Sequence, residues 1–215
     1  MDIILDTIEV RVLGSLMEKE LATPEYYPLS LNALINACNQ KTNRSPVLFL
    51  DAKQVAGALQ SLKEKRIVYQ SDASRVPKYW HDFAKQKNLI SREAALLCLL
   101  LLRGPQTAGE LRNRADNLCP CDNIEEVFHS LENLSTTGLI AQLPRQPGQK
   151  EQRFAHLLAG EPEHIEQVVA RQEPVMLEIE AENNRLVELE QSVMELKEEI
   201  AFLKKEFLSF KKEFE

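Results

Sequence analysis

Two short stretches of this chain concentrate side chains able to hold a phosphate. The first, A-C-N-Q-K-T-N-R-S-P-V (residues 37–47), carries Lys41 and Arg44, the amides Asn39, Gln40 and Asn43, and no acid. The second, R-Q-P-G-Q-K-E-Q-R (residues 145–153), sets Arg145, Lys150 and Arg153 around a Pro-Gly turn. Cations and amides displayed in this way bond phosphate oxygens and fix a protein's register on a nucleic acid backbone. Asn and Thr also cap helix ends and fold turns onto their own backbone, so residues 37–47 read equally as a contact surface or as a link between helices.

Other chemistries find little support. Cys119 and Cys121 form a C-P-C with His129 nearby, which supplies at most three ligands at a spacing unlike that of zinc sites, so no metal is expected. Cys98 lies inside the apolar run Ala94–Leu102 and reads as a core residue. The seven glycines form neither G-x-G-x-x-G nor G-x-x-x-x-G-K, and neither G-x-S-x-G nor H-E-x-x-H occurs. His81, His129, His156 and His164 are scattered. The expectation is a protein without enzymatic activity and without cofactors.

The elements that must position the cations are legible through an internal repeat. Val55, Leu59, Leu62, Ile67 and Val68 recur 72 residues later as Val127, Leu131, Leu134, Leu139 and Ile140. Upstream, Ser30 and Leu34 match Thr107 and Leu111, and Glu9, Leu13 and Leu16 match Glu93, Leu97 and Leu100. Each copy reads as helix, short helix, longer helix and two strands. Capping boxes are predicted at Asp6-x-x-Glu9, Asp51-x-x-Gln54, Thr107-x-x-Glu110 and Asp122-x-x-Glu125. Three helices closed by a hairpin make a winged helix, a helix-turn-helix variant. The predicted fold is therefore mainly α with small β-hairpins (α+β): a first winged-helix domain over residues 1–83, a second over 84–160, and an acidic linker and coiled-coil helix over 161–215.

That last segment shows a heptad pattern. Ile179, Leu186, Val193, Ile200, Phe207 and Phe214 occupy one seam position, and Leu189, Leu196, Leu203 and Phe210 the other. Across a parallel dimer, Arg185–Glu190, Glu199–Lys204 and Glu206–Lys211 all pair opposite charges. A homodimer through Leu186, Leu189, Val193, Leu196, Ile200 and Leu203 is expected; a helix folded back on its own domains is the other reading.

Charge is unevenly placed. Residues 1–83 hold 10 Lys+Arg and 10 Asp+Glu, and residues 84–160 hold 9 and 8, whereas residues 161–215 hold 7 and 15. The net charge of -7 thus belongs to the C-terminal segment and does not exclude nucleic acid from the rest. The longest apolar run is far too short to cross a bilayer, and M-D-I-I-L-D lacks the basic start of a secretory signal. A cytoplasmic location with no membrane partner is the expectation.

The stretches E-V-R-V-L-G-S-L-M-E-K-E-L-A-T-P-E-Y-Y-P-L-S and A-C-N-Q-K-T-N-R-S-P-V resemble the YceH-like family of bacterial proteins. So do L-L-R-G-P-Q-T-A-G-E-L-R-N-R-A and R-Q-P-G-Q-K-E-Q-R-F. The resemblance spans about residues 5–158 and implies a tandem winged-helix fold in the bacterial cytoplasm. It carries no catalytic residues.

Double-stranded DNA is the expected partner, bound by a dimeric transcriptional regulator. The third helix of the first copy would offer Lys53, Gln54, Gly57, Gln60 and Lys63, with Arg75 and Lys78 flanking its wing. Lys41 and Arg44, and in the second copy Arg112, Arg114, Arg145, Lys150 and Arg153, complete the candidates. The corresponding helix of the second copy bears Asp122, Glu125, Glu126 and Glu132, which repel phosphate. The alternative is an adaptor that uses its winged helices to hold another protein.

Overall fold

A computed structural model describes residues 4–71, 75–120, 123–145 and 151–160. The heptad residues Leu186, Leu189, Val193, Leu196, Ile200 and Leu203, together with Lys150, Cys121 and Asp122, lie outside the described residues. The fold is mainly helical with small antiparallel sheets.

Helix α1 (Thr7–Ala22) leads to strand β1 (Leu29–Ser30), helix α2 (Leu31–Cys38), helix α3 (Ala52–Glu64) and the hairpin β2 (Val68–Ser71) and β3 (Lys78–His81). After a single helical turn, α4 (Phe83–Gln86), the order recurs: α5 (Ser91–Arg103), β4 (Gln106–Thr107), α6 (Ala108–Ala115), α7 (Ile124–Thr136), β5 (Ile140–Gln142) and β6 (Arg153–His156). The sheets are alike, with orders β1-β3-β2 and β4-β6-β5 and antiparallel pairing throughout.

Local chemistry sets the helix starts. Asp6, Asp51 and Thr107 form reciprocal capping boxes with Glu9, Gln54 and Glu110. The fourth predicted box is displaced. Asn123, in extended backbone, takes the cap position, and its side-chain oxygen accepts from the Glu126 N–H at 2.9 Å, so α7 begins at Ile124. Ser30 and Thr107 each end a two-residue strand and cap the helix that follows, which leaves those strands too short for any alternation to reveal.

The two copies meet in one core within the compact unit Met1–Pro162. α1 is buried continuously from Glu9 to Glu18 and α5 from Glu93 to Leu102, and these first helices pack on each other. Gly14 allows the approach. A Cβ placed there would lie 2.9 Å from Leu102 Cδ2 and 3.1 Å from Leu101 Cβ, closer than packed atoms stand. Cys98 Sγ donates to the Gly14 carbonyl oxygen at 3.3 Å across the same seam.

Several charged groups inside this core are paired. Glu9 lies 2.6 Å from Lys65. Burial works to raise the Glu9 pKa, but hydrogen bonds from Lys65 and Ser61 outweigh it and hold the carboxyl below its ordinary value. His81 and His156 occupy equivalent places at the ends of β3 and β6, opposite Val68 and Ile140. His81 Nε2 lies 2.7 Å from Glu20, and their hydrogen bond lowers the Glu20 pKa against the effect of burial. His156 has no such acid, and its buried Nδ1 meets no hydrogen-bond partner among the described residues. Burial pushes its pKa down to about 4.

Candidate nucleic-acid interface

Helix α3 turns Val55, Ala58, Leu59 and Leu62 inward. That leaves Lys53, Gln54, Ala56, Gly57 and Gln60 exposed on the other side. A Cβ added at Gly57 would meet nothing within 4 Å, so the helix backbone itself is open to a close approach there. From Ala52 to Lys63 the helix contains no acid. Gln54 is partly engaged, since its Oε1 accepts from the Asp51 N–H at 2.9 Å. Lys63 Nζ donates to Gln70 Oε1 at 3.0 Å and ties the helix to the hairpin. On that hairpin Arg75 is exposed, while Lys78 is half-buried opposite Ser71 on one side and Ser30 on the other.

The segment 37–47 divides its cations. Lys41 is exposed. Arg44 is not a surface residue: its side chain is 0% exposed, and both terminal nitrogens engage Glu18, at 3.0 and 2.6 Å. Its remaining donors reach the carbonyl oxygens of Ala37 and Asn43 and the side-chain oxygen of Gln40. Asn39 is also committed, bonded to both the N–H and the carbonyl of Leu50 at 2.8 Å. The segment is pinned further by Arg11, which donates to the Cys38 and Pro46 carbonyls, and by Ser45 N–H, which donates to the Leu102 carbonyl. Arg103 donates to Asn43 Oδ1. Most of its polar groups therefore brace the first copy internally, Ser45 and Asn43 tie it to the second at Leu102 and Arg103, and Lys41 is the cation left at the surface.

The cations of the second copy are largely engaged with that copy's own framework. Arg114 Nη1 donates to Gln106 Oε1 at 2.6 Å, and Arg153 Nη1 donates to the Pro105 carbonyl at 2.8 Å. Both lie near Glu110, at 4.0 and 3.4 Å. Arg112 is half-buried, and Arg145 is exposed beside a groove.

That groove was not anticipated. It encloses about 580 Å³ between the start of α6 (Ala108, Gly109), α7 (Ile124, Phe128) and the β5–β6 hairpin (Gln142, Arg145, Glu151, Gln152, Phe154). A signal was present in the sequence, because Ile124 and Phe128 are apolar yet fall off the core stripe of Val127, Leu131 and Leu134. Position by position, α7 inverts the chemistry of α3. Ile124, Glu125, Glu126, Phe128, His129 and Glu132 stand where the first copy has Ala52, Lys53, Gln54, Ala56, Gly57 and Gln60.

Among known proteins, the family described as "Protein of unknown function, DUF480" matches residues 5–149. The UPF0502 protein of Geobacter sulfurreducens is 51% identical over 197 residues, covering 90% of each chain. The chain belongs to the UPF0502 family. Its UPF0502 relatives in Geotalea daltonii and Solibacter usitatus are 51% and 49% identical over 194 and 195 residues. They cover 89% of both chains in the first case, and 90% of this chain and 93% of the relative in the second. As a UPF0502 protein, the chain is similar to these relatives across both copies of the repeat. Among its described residues no helix is long and apolar enough to cross a membrane, and no three His, Cys, Asp or Glu side chains gather where a metal ion could sit.

Proposed function

We infer that this UPF0502 protein is a non-enzymatic, DNA-binding regulator built from two winged helices, with the first copy contacting the duplex. The order helix, strand, helix, helix, hairpin, with the first strand paired to the last, is that of a winged helix and supports this reading. The observation that carries it is the outer face of α3: a lysine, amides and small residues, no acid before Glu64, and an open Gly57. In this reading α3 enters the major groove. Lys53 and Gln60 reach its floor or walls, and Arg75 and Lys41 meet flanking phosphates.

The heptads from Ile179 to Phe214 support a homodimer, which would present two first copies to two half-sites. The acidic face of α7 argues that the second copy does not enter a groove, and it favours a protein contact there instead.

The test is fluorescence anisotropy of the full chain on a mixed-sequence duplex at about 50 and about 200 mM salt. Binding in the micromolar range that weakens steeply with salt supports the proposal through released counterions. No binding at either salt removes it and leaves the adaptor reading.

A further inference from the structure

The geometry points to the groove beside Phe128 as a docking site for a protein segment that carries an aromatic or leucine anchor flanked by basic residues. Three observations converge on that occupant.

The first is shape and apolarity. Phe128 is 51% exposed, well outside the core stripe of its helix. With Ile124, Phe154, Ala108 and Gly109 it lines an open cavity of about 580 Å³, enough room for one or two large side chains. The Cβ position of Gly109 lies 3.9 Å from the Glu151 carboxylate, which places that acid at the groove beside α6.

The second is charge. Glu125 and Glu132 stand three residues before and four residues after Phe128, which places one on either side of it along the exposed face of α7. Glu151 lines the opposite wall. None of these three carboxylates has an ion pair among the described residues, whereas Glu126 is held by Arg92 at 2.7 Å and Glu110 by Arg153 at 3.4 Å. Arg145 is the one cation among the described lining residues. A basic peptide is drawn to such a rim and an acidic one is repelled.

The third is the comparison within the chain. The same fold in the first copy presents Ala52, Lys53, Ala56 and Gln60 at the places of Ile124, Glu125, Phe128 and Glu132. The winged-helix framework does not demand an exposed aromatic or this acidity on that helix face, since the outer face of α3 has neither. The two features occur together on one face, around one cavity, and suit a protein ligand rather than a phosphate backbone. The inference does not rest on DNA binding by the first copy.

Selection of a phage-displayed library of random peptides, each about a dozen residues long, on the full chain tests it, with anisotropy on the enriched peptides. Enriched sequences are expected to place Phe, Tyr, Trp or Leu within a few residues of two or more Lys or Arg. Phe128→Ser should weaken them about tenfold or more, as loss of an aromatic anchor does. Glu132→Lys should weaken them with a reduced salt dependence, because a rim charge acts mainly on encounter. Phe128 lies outside the core, so an unchanged thermal melt accompanies the loss, and duplex affinity of the same variant stays at the wild-type value. Three results overturn the proposal: no enrichment, enrichment of acidic sequences, or binding indifferent to both variants. A change of oligomeric state in Phe128→Ser also overturns it, because the groove would then hold a second copy of this chain.

Discussion

Arg44 and Glu18 are 26 residues apart in sequence and face each other through two parallel contacts, Nη1 to Oε1 at 3.0 Å and Nη2 to Oε2 at 2.6 Å, in the protein interior. The pair joins the segment after α2 to the end of the buried run of α1. Breaking it from one side leaves a charge without its counter-charge away from water, which costs about 3–5 kcal/mol. Arg44→Ala or Glu18→Ala alone should therefore lower stability by that order in urea unfolding. The double substitution should cost less than the two single losses added together. Duplex affinity of any folded fraction of Arg44→Ala should match the wild type, because Arg44 offers no donor to solvent.

Gly14 is expected to accept no side chain. Ala at this position would press its Cβ against Leu102 and Leu101 on α5, and overpacking of this kind costs about 1–3 kcal/mol. Gly57, also helical, meets nothing within 4 Å, so Gly57→Ala should leave stability unchanged or raise it by up to about 1 kcal/mol. Thermal melts of the two variants side by side separate a packing glycine from an exposed one.

His156 makes stability depend on acid. Its folded pKa, about 4, lies below the ordinary value of 6.5, so the unfolded chain takes up the proton first as pH falls. Stability present above pH 6.5 should decline between about 6.5 and about 4, by up to roughly 3 kcal/mol at about 1.4 kcal/mol per unit. His156→Leu should flatten the decline in that window. Urea unfolding at pH 7.0, 5.5 and 4.5 measures the difference.

Much of this was legible in the residues, and what escaped did so for physical reasons. The apolar periodicity marked the buried stripes of α3 (Val55, Leu59, Leu62) and α7 (Val127, Leu131, Leu134), because a one-sided helix must repeat its buried positions. The nine-residue run from Ala94 to Leu102 also carried a message: a helix apolar on all sides is buried on all sides, and α5 sits between α1 and its own copy. The place of Arg44 was hidden. A guanidinium is charged wherever it lies, and its type does not reveal that a carboxylate 26 residues earlier waits to neutralise it. Arg153 was concealed likewise, because its approach to Glu110 depends on how β6 is laid against β4, whereas Arg114 stands one helical turn from Glu110 on α6, a spacing visible in the residues.

Lys53 on α3 and Arg75 on its hairpin are both exposed cations. Phosphate contacts appear in the salt dependence of affinity, where each lost contact lowers the slope of log K against log salt by about 0.9. The decisive measurement is duplex affinity from about 50 to about 200 mM salt for the wild type, Lys53→Glu with Arg75→Glu, and Arg114→Glu. The first-copy double variant is expected to lose at least about an order of magnitude in affinity and to show a slope reduced by about two, with little change for Arg114→Glu. Equal affinity and equal slope in the wild type and the double variant would contradict it, and would move any nucleic acid contact away from α3 and its hairpin.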